Sequence, residues 1–229
     1  MRKQQQGFTL IEIAIVLVII GLLLGGVLKG QELITSARVR NLISVQDGVK
    51  AAFFGFQDRF RAYAGDYTLA TTNITGVSTA ACNGGNGNGN GRIVSTENNE
   101  NILVWEHLSK AGFINGTYVC AAAAADATNP KNPYGVFLDL AYDSVYGLAA
   151  ITKHNLKSGG QIPVEIIAEV DRKIDDGAPY TGSFQYSTYV GNGTALTAPG
   201  ATACISAAAL TGVWQPTAGN TNCGAASVF

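Results

Sequence analysis

The chain has little charge of either sign. Only 14% of its 229 residues are Asp, Glu, Lys or Arg, with 15 basic residues against 16 acidic ones. A nucleic-acid partner would call for a strong basic excess, and none is present. Histidine is also scarce: His107 and His154 are the two in the sequence. No G-x-S-x-G, H-E-x-x-H or C-x-x-C pattern accompanies them, so nothing specific supports a hydrolase or a structural zinc site, and no cofactor is implied. The four cysteines, Cys82, Cys120, Cys204 and Cys223, lie far apart. In an exported chain they read as two disulfides with three possible pairings. The sequential pairing, Cys82–Cys120 and Cys204–Cys223, is favoured because each closes a loop poor in other structural signals; buried free thiols are the alternative.

What is present is concentrated at the N-terminus. MRKQQQG is short, polar and basic, and the 21 residues from Phe8 to Leu28 then hold a single charge, Glu12. As a helix this run is roughly 30 Å long, enough to cross a bilayer's hydrocarbon core. Arg2 and Lys3 before it place the N-terminus in the cytoplasm by the positive-inside rule. A cleaved secretory signal fits badly: the apolar run is too long, and GGVLKGQEL after it offers no A-x-A site.

Glu12 demands an explanation. A carboxylate within a lipid-facing helix costs about 2.5–3.5 kcal/mol on insertion scales. Near the helix end it can stay wet among headgroups. Cleavage between Gly7 and Phe8 supplies another answer, because it creates an α-amine four residues away on the same helix face. A neighbouring subunit's amine would then neutralise Glu12 in a low-dielectric bundle.

Gly7-Phe8-Thr9-Leu10-Ile11-Glu12, followed by an unbroken apolar run, resembles the prepilin signal of type IV pilins and type II secretion pseudopilins. The resemblance implies that a membrane prepilin peptidase cuts after Gly7 and N-methylates Phe8, and that Glu12 guides subunit docking. It also implies other pilin or pseudopilin subunits and an inner-membrane assembly platform as partners. The chain would first sit in the bacterial inner membrane as a single pass, then in a periplasmic or extracellular filament. Major subunits of this kind commonly carry a proline where this chain has Lys29. Here Gly21, Gly25 and Gly26 supply weak points in the helix, or small-residue faces for close helix packing. A minor pilin or pseudopilin is the expected role; a membrane-anchored periplasmic enzyme or binding protein is the alternative.

Beyond Leu28 the helical pattern continues. Val39, Leu42, Val45, Val49, Phe53, Phe56, Phe60 and Tyr63 recur at three- and four-residue spacings, and Gly65 is a natural stop. The expected division is a leader at 1–7, a membrane or filament-core helix at 8–28, its continuation at 29–64, and a head at 65–229. The expected fold is α+β and pilin-like: a long N-terminal helix packed on a small antiparallel sheet with short helices.

Within the head, residues 65–100 read as a connection, and NGGNGNGNG (83–91) as a solvated flexible loop. Asn101–Gly112 reads as a helix capped by Asn98 or Asn99, burying Trp105, Leu108 and Phe113 and leaving His107 on the surface. Asn129–Gly135 is turn-rich. Val136–Tyr142, Val145–Thr152 and Phe184–Val190 are strand candidates. Ile162–Asp175 is amphipathic through Ile166, Ile167, Val170 and Ile174, with Pro163 suited to its first turn. Asp171, Asp175 and Asp176 form a weak calcium candidate. Arg172 and Lys173 among them favour a solvated turn. From Gly191 onward the chain is rich in Gly, Ala and Thr, with Cys204 and Cys223 bracketing Trp214.

Overall fold

A computed structural model describes residues 10–148, 151–191 and 200–229. The chain divides into two units, one up to Arg38 and one from Val39 to Phe229. A single helix, α1 (Leu10–Phe60), contributes to both.

In the first unit, α1 buries none of its apolar side chains. An 18-residue window there has a mean hydropathy of 2.8 and no buried share, so by length and composition the helix can cross a membrane. In the second unit the same helix turns one face inward through Val39, Leu42, Val49, Phe53 and Phe56, all at most 7% exposed. That face follows the three- and four-residue spacing of the sequence. Ala52 and Gln46 join it, whereas Val45, Phe60 and Tyr63 are only partly buried.

The helix ends four residues sooner than Ala64. Arg61 takes the left-handed conformation (φ +55°) and its N–H closes on Gln57 O at 2.8 Å, which terminates the ladder. Gly65 serves a different purpose. It holds φ +92° where the chain crosses the next long helix, and a Cβ there would stand 2.6 Å from Glu100 O. Only glycine fits that crossing.

Four antiparallel strands form the sheet in the order β1-β2-β4-β3: β1 is Asp139–Asp143, β2 Lys153–Lys157, β3 Phe184–Tyr186 and β4 Ala225–Val228. β1 and β3 fall within or beside their expected ranges and are shorter or shifted. The strand expected at Val145–Thr152 is not formed by its described residues: 144–148 are loop and bend, and pairing begins at Lys153. Val145, Leu148 and Ile151 of that run are instead exposed, whereas Tyr146 is buried. β4 was not expected at all. Its Ala225 and Ala226 are fully buried, small enough to lie between two neighbours without the β-branched pattern that announces a strand. The architecture is α+β: a long N-terminal helix with a four-stranded antiparallel sheet and short helices.

The next three α-helices after α1 lie in the head. α2 is a single turn at Ala70–Asn73, and α3 spans Glu100–Lys110, with Asn99 before it at φ +54° and Gly112 after it at φ +82°. α4 (Val164–Ile174) begins directly after Pro163 and buries Val164, Ile166, Ile167, Ala168 and Val170. Val39 and Leu42 share a core with α4, β3 and Trp214, while Val49, Phe53 and Phe56 share a second with α3, Leu138, Leu140 and Leu156. The cysteines are joined in sequence order, Cys82 to Cys120 and Cys204 to Cys223. The first ties the start of the glycine/asparagine segment to the chain after α3. The second ties α5 (Ala201–Cys204) to the approach to β4.

Candidate assembly helix and the polar clusters of the head

Gly7 and Phe8, the expected cleavage junction and methylation site, lie outside the described residues. Glu12 is in the first turn of α1 and exposed, where an acid complements the positive end of the helix dipole. Leu10, Ile11, Ile13, Ile15 and Val16 around it are 48–91% exposed. Gly21, Gly25, Gly26 and Gly30 have no atom within 4 Å of where a Cβ would stand, so they leave shallow, open places on the helix. Close approach of another helix needs such places. Lys29 pairs with Glu32 at 2.6 Å, both side chains 66% exposed. A solvated pair of this kind adds little stability.

In the head the polar groups act on structure. His107 is fully buried, contrary to the surface position expected of it. Its Nδ1 accepts the Gly65 N–H at 2.9 Å and its Nε2 lies 3.0 Å from Gly85 O. These contacts fix the tautomer with hydrogen on Nε2. Burial pulls its pKa down to about 4, against which the bond to Gly85 works. The neighbouring Glu106 is equally buried and accepts the N–H groups of Ser78 (2.6 Å) and Cys120 (2.7 Å). A helical wheel alone does not distinguish these two from surface residues. The loops that cover α3 bring Gly65, Ser78 and Gly85 from before it in the chain and Cys120 from after it.

The glycine/asparagine loop is likewise more ordered than its composition suggests. The Asp66 carboxylate accepts N–H groups from Gly89 (2.7 Å), Asn90 (3.0 Å) and Gly91 (2.8 Å). Glu100, fully buried at the start of α3, accepts those of Asn88 (3.1 Å) and Val94 (3.3 Å). Burial raises both acids, Glu100 to about 7, although the backbone donors oppose the rise. Asn88 and Asn90 stay exposed and both donate to Glu97. The loop's backbone wraps two carboxylates supplied from elsewhere, which glycine permits because no Cβ intervenes.

Sequence reasoning also missed a buried charge cluster. Lys157 on β2 is 1% exposed, with its Nζ 2.9 Å from Asp139 and 2.6 Å from Asp143. Burial disfavours the ammonium, but the two aspartates outweigh it and hold the lysine above its ordinary value. Burial likewise opposes ionisation of Asp143, and the charge of Lys157 overcomes it. Asn101 of α3 donates to Asp139 at 2.8 Å and links the cluster to that helix. The available signal was two aspartates, Asp139 and Asp143, on one face of a strand; Lys157 itself stands in a polar stretch beside His154, Asn155 and Ser158.

Asp171, Asp175 and Asp176 do converge: one carboxylate oxygen from each lies within 4.8 Å of the others. Each acid also serves local structure. Asp171 accepts the Trp214 indole N–H at 2.6 Å, Asp175 the N–H of Phe184 at 2.7 Å, and Asp176 the N–H of Ala178 at 2.9 Å. Burial, with the charges of Asp175 and Asp176, lifts Asp171 to about 7 despite the Trp214 bond. The arrangement tethers the turn after α4 to β3 and to the C-terminal segment.

The head thus presents structural clusters, and the exposed surface that asks for a partner is the apolar N-terminal helix. Residues 2–28 match the family model of the prokaryotic N-terminal methylation motif. The chain carries the N-terminal signature of type IV pilin-like precursors. The match ends at the close of the apolar run, so the head is described by its own geometry. No curated protein and no solved structure matched the sequence.

Proposed function

We propose that the chain is a structural subunit, a minor pilin or pseudopilin, of a type IV pilus-like or type II secretion pseudopilus filament. Residues 1–7 are the leader, cut after Gly7 by prepilin peptidase, which then methylates Phe8. Residues 8–28 hold the precursor in the bacterial inner membrane with its N-terminus cytoplasmic and later form the filament core. Residues 29–64 continue the helix, and residues 65–229 are the periplasmic or extracellular head. The other partners are fellow subunits and the membrane assembly platform.

The observation that carries this reading is the state of α1 within and just beyond the methylation motif. Its apolar window has no buried share, and the acid Glu12 stands among exposed aliphatic side chains. Lipid suits the aliphatic residues but not the carboxylate. A bundle of like helices suits both, because each new α-amine at Phe8 neutralises a neighbour's Glu12 and the glycines admit close packing. The head contributes folded surface rather than chemistry.

N-terminal mass spectrometry of the protein from its native membrane tests the processing step. The expected mature chain starts at N-methylated Phe8. A start beyond Leu28 would overturn the reading. In parallel, Glu12→Val should be processed normally while its recovery in sheared filaments falls sharply. Normal incorporation would remove Glu12 from assembly.

A further inference from the structure

Asparagine followed by glycine is the dipeptide most prone to spontaneous deamidation, because glycine offers no side chain to hinder ring closure. The backbone nitrogen of the glycine attacks the asparagine Cγ. A C–N bond forms, ammonia leaves, and the resulting succinimide takes up water to give aspartate or isoaspartate. The reaction needs a glycine N–H free to lose its proton and a side-chain amide free to swing toward it. A hydrogen bond on either group holds the reactants apart.

Five such steps lie among the described residues: Asn83–Gly84, Asn86–Gly87, Asn88–Gly89, Asn90–Gly91 and Asn115–Gly116. A sixth, Asn192–Gly193, lies outside them. Composition alone marks the 83–91 loop as the vulnerable stretch. The structure reverses that ranking. Gly87 N donates to Tyr67 O at 3.0 Å, Gly89 N to Asp66 Oδ1 at 2.7 Å, and Gly91 N to Asp66 Oδ2 at 2.8 Å. The matching side chains are engaged as well. Asn86 bonds to Thr71 through both its oxygen (3.1 Å) and its nitrogen (3.0 Å), and Asn88 and Asn90 both donate to Glu97. Asn83 donates to Asn86 O at 3.2 Å within a tight turn directly after the disulfide-bonded Cys82.

Asn115 and Gly116 differ on every count. Both are exposed, and among the described residues neither the Asn115 side chain nor the Gly116 N–H has a hydrogen-bond partner. They sit in the bend after α3, beyond the last bond that anchors it, Phe113 N to Leu108 O at 2.9 Å. Asn115 also lines a groove of about 370 Å³ together with Lys131, whose ammonium pairs with Asp126, so conversion would add a carboxylate to that groove.

We infer that Asn115–Gly116 is a deamidation site of the folded head, and that the fold keeps the four steps of the glycine/asparagine loop inert. Among the five described steps, charge heterogeneity in the aged protein then arises at position 115. The loop that looks chemically fragile is protected by Asp66, Thr71 and Glu97.

Hydroxylamine cleaves at succinimides and reads the reaction directly. Treating the full chain in detergent should give one cut among these five steps, with a new N-terminus at Gly116. After reduction and unfolding, cuts at Asn83, Asn86, Asn88 and Asn90 should join it. Asn115→Gln should abolish the native cut. Asp66→Asn combined with Glu97→Ala removes an acceptor oxygen from the Gly91 N–H and the acceptor of the Asn90 amide, and Asn90–Gly91 should then become cleavable in the folded protein. Loop cleavage in the native wild type as fast as cleavage at Asn115 overturns the inference. So does an intact Asn115–Gly116 bond in a folded chain that is cut there once unfolded. The wild-type comparison stands by itself if the double variant fails to fold.

Discussion

Asp171 is fully buried, bears the Trp214 indole N–H, and faces two more acids in Asp175 and Asp176. With its pKa lifted from 3.8 to about 7, the folded state binds its proton more tightly than the unfolded chain does. The stability this group contributes is therefore complete below about pH 4 and lost as pH rises through 7. Asp171→Asn keeps an acceptor for Trp214 and removes the charge, so at pH 8 its thermal midpoint should equal or exceed that of the wild type. Asp171→Ala strands the indole N–H in a buried site and should lower stability by about 1–3 kcal/mol in a denaturant titration. His154 has the opposite sign. Burial among Phe53, Tyr63 and Tyr142 holds it near 4, below its ordinary 6.5, and its Nε2 has no hydrogen-bond partner among the described residues. Its contribution is present above pH 6.5 and lost as pH falls toward 4. His154→Phe should match the wild type at pH 7.5 and lose less stability between pH 6.5 and 4, as followed by urea unfolding at each pH.

Among the elements, legibility tracked how local the cause is. α4 could be read from the sequence because Ile166, Ile167 and Val170 repeat at helical spacing and Pro163 marks the start. α1's inward face was readable for the same reason. The strand at Lys153–Lys157 was hidden: His154, Asn155 and Lys157 look like surface residues until Asp139 and Asp143, supplied by another strand, neutralise the lysine. Gly65 looked like a helix stop because its need for a positive φ is visible but the partner helix that demands it is not. β4 had least to show, since Ala-Ala-Ser-Val has no pattern and depends on partner residues 39 to 73 positions earlier. Its anchorage rests on the Cys204–Cys223 bond and on the Ile162–Cys223 bridge. Replacing both cysteines by alanine should therefore cost about 3 kcal/mol by loop-closure entropy. Hydrogen exchange should show the loss in β4 and β3 first, with α3 less affected.

For the molecule as a whole, the N-terminal signature and the head answer to different solvents. The aliphatic residues up to Ile34 are exposed, whereas the residues from Val39 onward build two large cores and a smaller one around Cys82 and Cys120, and hold both disulfides. A chain beginning at Lys29 should accordingly be a soluble, cooperatively melting monomer by gel filtration and circular dichroism. The full chain should require detergent. Failure of the shorter chain to fold would show that the apolar helix is needed for the head's stability as well as for anchoring.

The sheet's order also sets a timetable. β4 lies between β2 and β3 but follows both in the chain, so the two strands it joins are synthesised before the strand that joins them. Phe229, next after β4, bonds through its N–H to His154 O and places its ring 5.2 Å from that of Phe53 on α1. Until residues 225–228 emerge, the facing edges of β2 and β3 stay open, dependent on whatever shields unpaired strands.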